Sequence, residues 1–276
     1  MSRPGPDHPV AAAFERRAAR AEGLAARCPS AVEPLRFAAG LYRVQARLAG
    51  TLAARHAARP LRGRLGEDAE TVLLAAAELL RFAGERGPAV LAAEARACAV
   101  QATSTLAARL AASWSGEPMA ATDYLSRAVL RPYVEVLAFL CVPPDRPHPS
   151  GTCPFCGGPP WIAARRAGPE GEGARRHLGC ALCGGEWRLS RVLCPNCGEE
   201  DPARLPSFAS ETCPAARIEA CETCRGYVKS IDLTLDGHAI PEVDDLASVV
   251  LDLWAAREGF ARIEPGLAGP VTAGRD

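Results

Sequence analysis

From Val10 to about Leu140 the apolar residues recur at helical spacing. In VEPLRFAAGLYRVQARLAGTLAARHA, Leu35, Leu41, Val44, Leu48 and Leu52 fall close to one face, with Arg36, Arg43, Arg47 and Arg55 largely off it. That is the pattern of a helix with one buried stripe. EDAETVLLAAAELLRFAGER, PAVLAAEARACAVQATSTLAARLAAS and TDYLSRAVLRPYVEVLAFL repeat it, so the spacing predicts five helices, or four. Pro88 suits the first turn of its helix, and Pro132 predicts a kink or break. The proline-dense stretch VPPDRPHPSG, residues 142–151, then reads as a stiff, extended linker.

The pattern changes beyond the linker. From Gly151 to about Ser230 the chain is rich in Cys, Gly and Pro, with short β-type stretches at Trp187–Val192 and Tyr227–Leu233. EVDDLASVVLDLWAAREGF reads as one closing amphipathic helix, with Asp244 or Asp245 as its N-cap and Gly259 near its end. The expected organisation is multi-domain: an all-α helical domain over 1–148, two small β metal-binding units of ribbon type over 149–191 and 192–235, and a C-terminal helix and tail over 236–276.

The chemistry lies in the cysteines. Eight of the twelve form four Cys-x-x-Cys pairs: Cys153/Cys156, Cys180/Cys183, Cys194/Cys197 and Cys221/Cys224. Moving the first two pairs by 41 residues lands on the last two at every cysteine, GTCPFCGG matches VLCPNCGE, and Arg188 aligns with Lys229. A fixed offset of this kind marks a duplicated unit, here C-x2-C-x23-C-x2-C. The repeat joins Cys153/Cys156 to Cys180/Cys183 and Cys194/Cys197 to Cys221/Cys224. The alternative joins the two middle pairs across the ten residues between them. Each Cys-x-x-Cys turn brings two sulfurs to one ion, and two turns complete a tetrahedron of thiolates suited to zinc or a single iron. Glycine follows Cys156, Cys183 and Cys197, where the knuckle needs a left-handed bend; after Cys224 stands Arg225, so the fourth knuckle is expected to depart. Small ribbons have little core, and metal binding of about 10–16 kcal/mol can hold such modules folded.

The remaining candidates read as structural. Cys28, Cys98 and Cys141 are expected as small buried hydrophobes. Cys213 lacks a partner in its gap, and Trp161 and Trp187 are expected to pack the ribbons. His177, three residues before Cys180, either donates to a sulfur or lies on the surface. No Ser-His-Asp arrangement or phosphate-cradling loop stands out, so no catalytic residue or enzyme activity is expected.

Charge narrows the function classes. The chain is neutral overall, with net +5 over 1–148, +1 over 149–230 and −6 over 231–276. The acidic end is expected either to pack on a basic helical face or to mark an interaction surface. Nucleic-acid binding needs clustered positive charge, and residues 194–230 hold six acids against four basic residues. Only Arg165, Arg166, Arg175 and Arg176 could form a patch, so a zinc-ribbon nucleic-acid binder is disfavoured. No secretory or twin-arginine leader is read at the start, and no apolar run reaches the ~18 residues of a membrane span. The reading is cytoplasmic, where spaced cysteines bind metal more often than each other.

The helical first half, the four pairs at these gaps, CALCGGEWRLSRVLCPNCG and DDLASVVLDLWAAREGF together resemble the FdhE family of formate dehydrogenase accessory proteins. The resemblance is most specific from Thr152 to Gly259. It implies a cytoplasmic protein with a helical domain and two tandem rubredoxin-like units, and all eight paired cysteines as ligands to two metal ions. Iron is favoured and zinc is the alternative. It further implies binding to the catalytic subunit of a respiratory formate dehydrogenase for that enzyme's maturation; charge and hydropathy add the expectation of no nucleic acid and no membrane insertion, and nothing indicates the oligomeric state. The alternative function is rubredoxin-like electron transfer, which needs a redox-active iron site.

Overall fold

A computed structural model of the chain describes residues 8–117, 123–168, 173–267 and 269. Most of the GPEGEG insert, the first seven residues and the last residues of the tail lie outside the described residues. The chain divides into two compact units. One takes in residues up to 22, 36–147 and 155–157; the other takes in 23–35, 148–154 and the chain from 158 onward.

Six helices occupy the first half among the described residues: α1 Pro9–Ala25, α2 Val32–Ala58, α3 Leu65–Arg86, α4 Ala89–Ala99, α5 Thr103–Ser115 and α6 Tyr124–Phe139. The expected stripe on α2 is buried throughout, from Leu35 to Leu52, and its arginines are exposed. Phe37 stacks on Phe82 of α3 with ring centroids 5.6 Å apart. Gly40 makes room for this contact, since a Cβ there would stand 2.5 Å from the Phe82 ring.

Three expectations about helix punctuation are corrected. The stretch expected as one helix over 88–113 is two, broken at Val100–Ala102 without glycine or proline. Packing dictates the break: Ala95 and Cys98 of α4 and Leu106 of α5 all reach the same cluster with Leu80, Ala83 and Leu125. Pro88 stands one place earlier than expected, as the N-cap of α4. Pro132 sits inside α6 and does not break it. Proline lacks the N–H that would bond the carbonyl of Ala128, four residues back. The buried Gln45 side chain of α2 supplies the donor instead, its Nε2 lying 2.9 Å from that oxygen.

Among the described residues the second unit is built on a single seven-stranded sheet: β1 Pro160–Ala167, β2 Ala174–Cys180, β3 Glu186–Arg188, β4 Ser207–Ala209, β5 Ala216–Ala220, β6 Gly226–Asp232 and β7 Ala261–Arg262. Strand order is β3-β2-β1-β6-β5-β4, with β7 also on β6. The 41-residue offset carries β2 onto β5, β3 onto β6 and the end of β1 onto β4, and each repeat is an antiparallel three-strand ribbon. The two ribbons join through β1 and β6, parallel, with Ile162 opposite Lys229 and Arg165 opposite Asp232. This is head-to-tail repetition, the first strand of one copy lying against the last strand of the other. Strand β6, paired on both sides, runs seven residues and is buried along its length; its counterpart β3 at the sheet edge runs three.

Alternation along β6 gives the sheet two faces. On one, Tyr227 and Ile231 pack with Trp161, Ile162, Ile218, Leu251 and Ala255. Leu251 and Ala255 come from the closing segment, which is not one helix but two, α7 Pro241–Ala247 and α8 Val249–Arg257, separated at Ser248. The N-cap is Ile240. Asp244 reaches back to accept its N–H at 2.8 Å, and Asp245 serves elsewhere. Gly259 takes the left-handed φ of +78° that ends α8.

Lys229, the chain's one lysine, is fully buried on this face. Its Nζ lies 3.0 Å from Asp245 and 2.5 Å from Asp252, and donates to the carbonyls of Asp245 and Ser248 at 2.9 and 3.2 Å. Arg262 binds the same two carboxylates at 2.8 and 3.2 Å and donates to the Trp161 carbonyl at 2.9 Å. Tyr227 Oη completes the set at 2.8 Å from Asp252. Two cations and two carboxylates thus share one buried site, and the break at Ser248 turns a carbonyl onto Lys229. Burial raises the Asp245 carboxyl, but Arg262 and Lys229 outweigh it and hold the group below the usual carboxylate range. Within the ribbon unit, Asp232, Asp245 and Asp252 of the acidic end each pair with a cation.

These buried polar contacts can be tested by three measurements. Gln45→Leu leaves the Ala128 carbonyl without a donor and is expected to lower unfolding stability by about 1–3 kcal/mol. Pro132→Ala restores the backbone donor, so the double variant should recover much of that loss in urea denaturation. Lys229→Met strands two carboxylates on one arginine and should cost about 3–5 kcal/mol. Because folding depresses the Asp245 pKa, its contribution is present above the ordinary aspartate value of about 4 and is lost as pH falls through the depressed one. Stability measured across that window should fall less steeply in Asp245→Asn.

Candidate metal centres

The eight paired cysteines converge into two sets, Cys153, Cys156, Cys180 and Cys183 in one and Cys194, Cys197, Cys221 and Cys224 in the other. Within each set all sulfurs lie within 4.8 Å of one another. This is the grouping that the repeat dictates, and the alternative joining the middle pairs is not found. Sulfur–sulfur distances of 3.6 Å for Cys153–Cys183, 3.8 Å for Cys194–Cys224 and 3.7 Å for Cys197–Cys221 match the edge of a tetrahedron. Four sulfurs at about 2.3 Å from an ion are about 3.8 Å apart. Each set could hold one metal ion.

The four knuckles share one backbone geometry. The N–H of the leading cysteine bonds the carbonyl five residues on, from Cys153 to Gly158, Cys180 to Gly185, Cys194 to Glu199 and Cys221 to Gly226, each at 2.9 Å. Gly157, Gly184 and Gly198 take the left-handed bend with φ of +65°, +66° and +77°. Arg225 takes the same conformation at φ +55°, so the expected departure of the fourth knuckle is one of residue type and not of geometry. The strain of a left-handed non-glycine residue, of order 1–3 kcal/mol, is offset where its guanidinium stacks 3.8 Å over the Phe260 ring and donates to the Glu258 carbonyl at 2.5 Å. Its own carbonyl accepts from Ala261 at 2.8 Å. Knuckle N–H groups also point at sulfur, those of Leu182 and Cys183 at Cys180 and that of Gly185 at Cys183, each at 3.4 Å.

The two sets differ in exposure. Cys153, Cys156, Cys180 and Cys183 are all buried, whereas Cys197 is exposed and Cys224 is half-buried. Burial pushes the Cys194 thiol up to about 12. Burial also raises Cys224, but hydrogen bonds from the Asn196 side chain and the Gly226 N–H outweigh it and bring that thiol down to about 7. Cys224 is thus readier than Cys194 to lose its proton, as a ligand must.

Other sequence candidates stand apart from the sulfurs. His177 is half-buried in β2, and its Nδ1 has no hydrogen-bond partner. Cys213 packs beside the sheet core and belongs to neither set. Cys98 is buried as expected but accepts from Arg109 at 2.7 Å. Cys28 is half-buried and Cys141 is exposed, the latter because it leaves α6 in a left-handed turn at φ +56°. Trp161 lies in the core cluster, and Trp187 packs on Ala163, Leu178 and Val228. No helix among the described residues is long and apolar enough to cross a membrane.

Residues 152–191 match the family model described as the central domain of FdhE, and residues 192–267 match the one described as its C-terminal domain. Two curated relatives carry the name "Protein FdhE homolog". One, from Aquifex aeolicus (strain VF5), is 39% identical over 117 residues, which are 42% of this chain and 41% of that protein. The other, from Pseudomonas aeruginosa, is 39% identical over 119 residues, 42% and 38% of the two chains. The match therefore spans about two fifths of these relatives' length. The solved structure titled "The crystal structure of the FdhE protein from Pseudomonas aeruginosa" is 26% identical, with a TM-score of 0.66 over 93% of this chain and 95% of that one.

Changing Cys180 and Cys183 together to Ala is expected to halve the bound metal by emptying the first set, and changing Cys194 and Cys197 together to empty the second. Elemental analysis of the folded variants checks this; loss of both metals from either would contradict independent sites. With the parent protein, chelator should withdraw one equivalent faster than the other, and the Cys194/Cys197 variant should keep only the slow one.

Proposed function

The chain belongs to the FdhE family, and from that premise we propose that it is a cytoplasmic, non-enzymatic accessory protein for the maturation of a respiratory formate dehydrogenase, acting by binding its catalytic subunit. The observation that supports this reading is the pair of four-sulfur sets on one sheet, in a chain that also carries a helical unit far larger than a metal carrier needs. In this reading Cys153, Cys156, Cys180 and Cys183 hold one ion, and Cys194, Cys197, Cys221 and Cys224 a second. Iron is favoured on the family resemblance, although the sulfur spacing suits zinc equally. An iron ion among four thiolates can change oxidation state, which zinc cannot.

Exposure of Cys197 favours a second reading, a rubredoxin-like electron carrier, because electron exchange needs a centre near the surface. One experiment separates the two. The tagged protein is recovered from its own host grown on formate without oxygen, and co-purifying proteins are identified. Recovery of the formate dehydrogenase catalytic subunit, lost when Cys180 and Cys183 are changed to Ala, is expected. Absence of that subunit after crosslinking, together with reversible one-electron reduction of the purified protein, would overturn the accessory reading for the carrier.

A further inference from the structure

The face of the sheet opposite α7 and α8 carries a concentration of guanidinium groups that outnumbers the carboxylates beside it. Register places it there. Arg165 of β1 stands directly opposite Arg176 of β2, a like-charge pair that is unfavourable by itself. Arg217 of β5 stands opposite Ser230 of β6, two positions from Asp232 on the same side. With Arg191, these three arginines line a cavity of about 330 Å3 whose wall also includes Cys194 and Cys221 of the second sulfur set. Arg165, Arg176 and Arg191 are shared with a broader groove of about 870 Å3 that adds Arg175 and Arg188.

Carboxylates account for part of this charge. Asp232 lies 3.4 Å from both Arg165 and Arg217, a loose pairing. Glu219 lies 2.7 Å from the Nε of the buried Arg176, across the two intervening strands β1 and β6. That nitrogen nonetheless has no aligned hydrogen-bond acceptor, while its neighbour Nη1 is fixed by the carbonyls of Ser190 and Leu193 at 3.1 Å. Arg176 is therefore held in place by backbone carbonyls and by its ion pair with Glu219, whose carboxylate also lines the cavity. The volume is that of a small-molecule site, and rigidly held guanidinium forks suit phosphate oxygens.

We propose that this cavity binds a phosphate-bearing anion beside the second sulfur set, with Arg165, Arg176, Arg191 and Arg217 as its ligands. The metal centre is the rival claimant on these charges, because a divalent ion among four thiolates carries net negative charge. Local compensation and anion binding make different predictions.

The test uses the full, metal-loaded chain at low ionic strength in a phosphate-free buffer. Calorimetric titration with pyrophosphate, ADP and inorganic phosphate is expected to give saturable binding of at least one of them. The Arg191→Gln/Arg217→Gln variant should bind about ten-fold or more weakly while keeping both metals and its melting temperature. Tighter binding of inorganic phosphate than of ADP assigns a free anion, and the reverse a phosphorylated small molecule; both support the site. No saturable binding by the parent, or affinity unchanged in the variant, overturns it. Loss of the second metal in the variant, with no anion bound by the parent, assigns the arginines to the metal centre instead. Binding of a labelled single-stranded RNA that pyrophosphate does not displace would overturn the proposal in favour of a nucleic-acid surface.

Discussion

The ribbon unit depends on the parallel pairing of β1 with β6. Each three-strand ribbon alone has a knuckle at either end of its cysteine spacing and few large apolar residues between. Joined, they bury β6 on both edges and both faces, and only then does a continuous core of Tyr227, Ile231, Ile218 and Trp161 exist for α8 to cover. The seam is reinforced by charge: Lys229 lies in it, Arg262 holds the backbone of Trp161 beside it, and Asp245 and Asp252 tie the closing helices to both cations. Such a site is sensitive to loss of any member, since removing one partner leaves the others charged and buried.

Much of this was legible in the sequence, and the parts that were not have physical reasons. The cysteine spacing repeats because each knuckle is a local structure, complete within about six residues, and local structure is written locally. The helical stripe from Leu35 to Leu52 is legible for the same reason. What the offset of 41 could not convey is context. It aligns Arg188 with Lys229 as equals, yet one lies exposed on an edge strand and the other is wholly buried, because only the second repeat has a neighbour on that side. Pro132 reads as a breaker until Gln45, 87 positions earlier, is known to serve the orphaned carbonyl. The breaks at Val100–Ala102 and Ser248 carry no glycine or proline, being set by which partners the segments must reach. Arg225 looks like a defect in the knuckle pattern, and a ring 35 residues downstream makes it tolerable.

The same asymmetry separates the sulfur sets. The first repeat provides four buried cysteines, while the second leaves Cys197 at the surface and places Asn196 to favour the Cys224 thiolate. Identical ligand chemistry thus sits in two dielectric settings. A buried tetrathiolate is shielded from solvent and exchange, and an exposed one is open to both. Duplication followed by divergence of surroundings, with the ligands kept, is enough to give one chain a closed centre and an accessible one.

Head-to-tail repetition has a consequence that twofold pairing would not. An arrangement in which the first strand of one copy meets the last strand of the next has no reason, in symmetry, to stop at two; the same contact made between chains would grow without closing. Here the outer strands β3 and β4 are each three residues long, too short to template a further ribbon. Strand length at the two rims, and not the pairing rule itself, is what keeps this sheet finite.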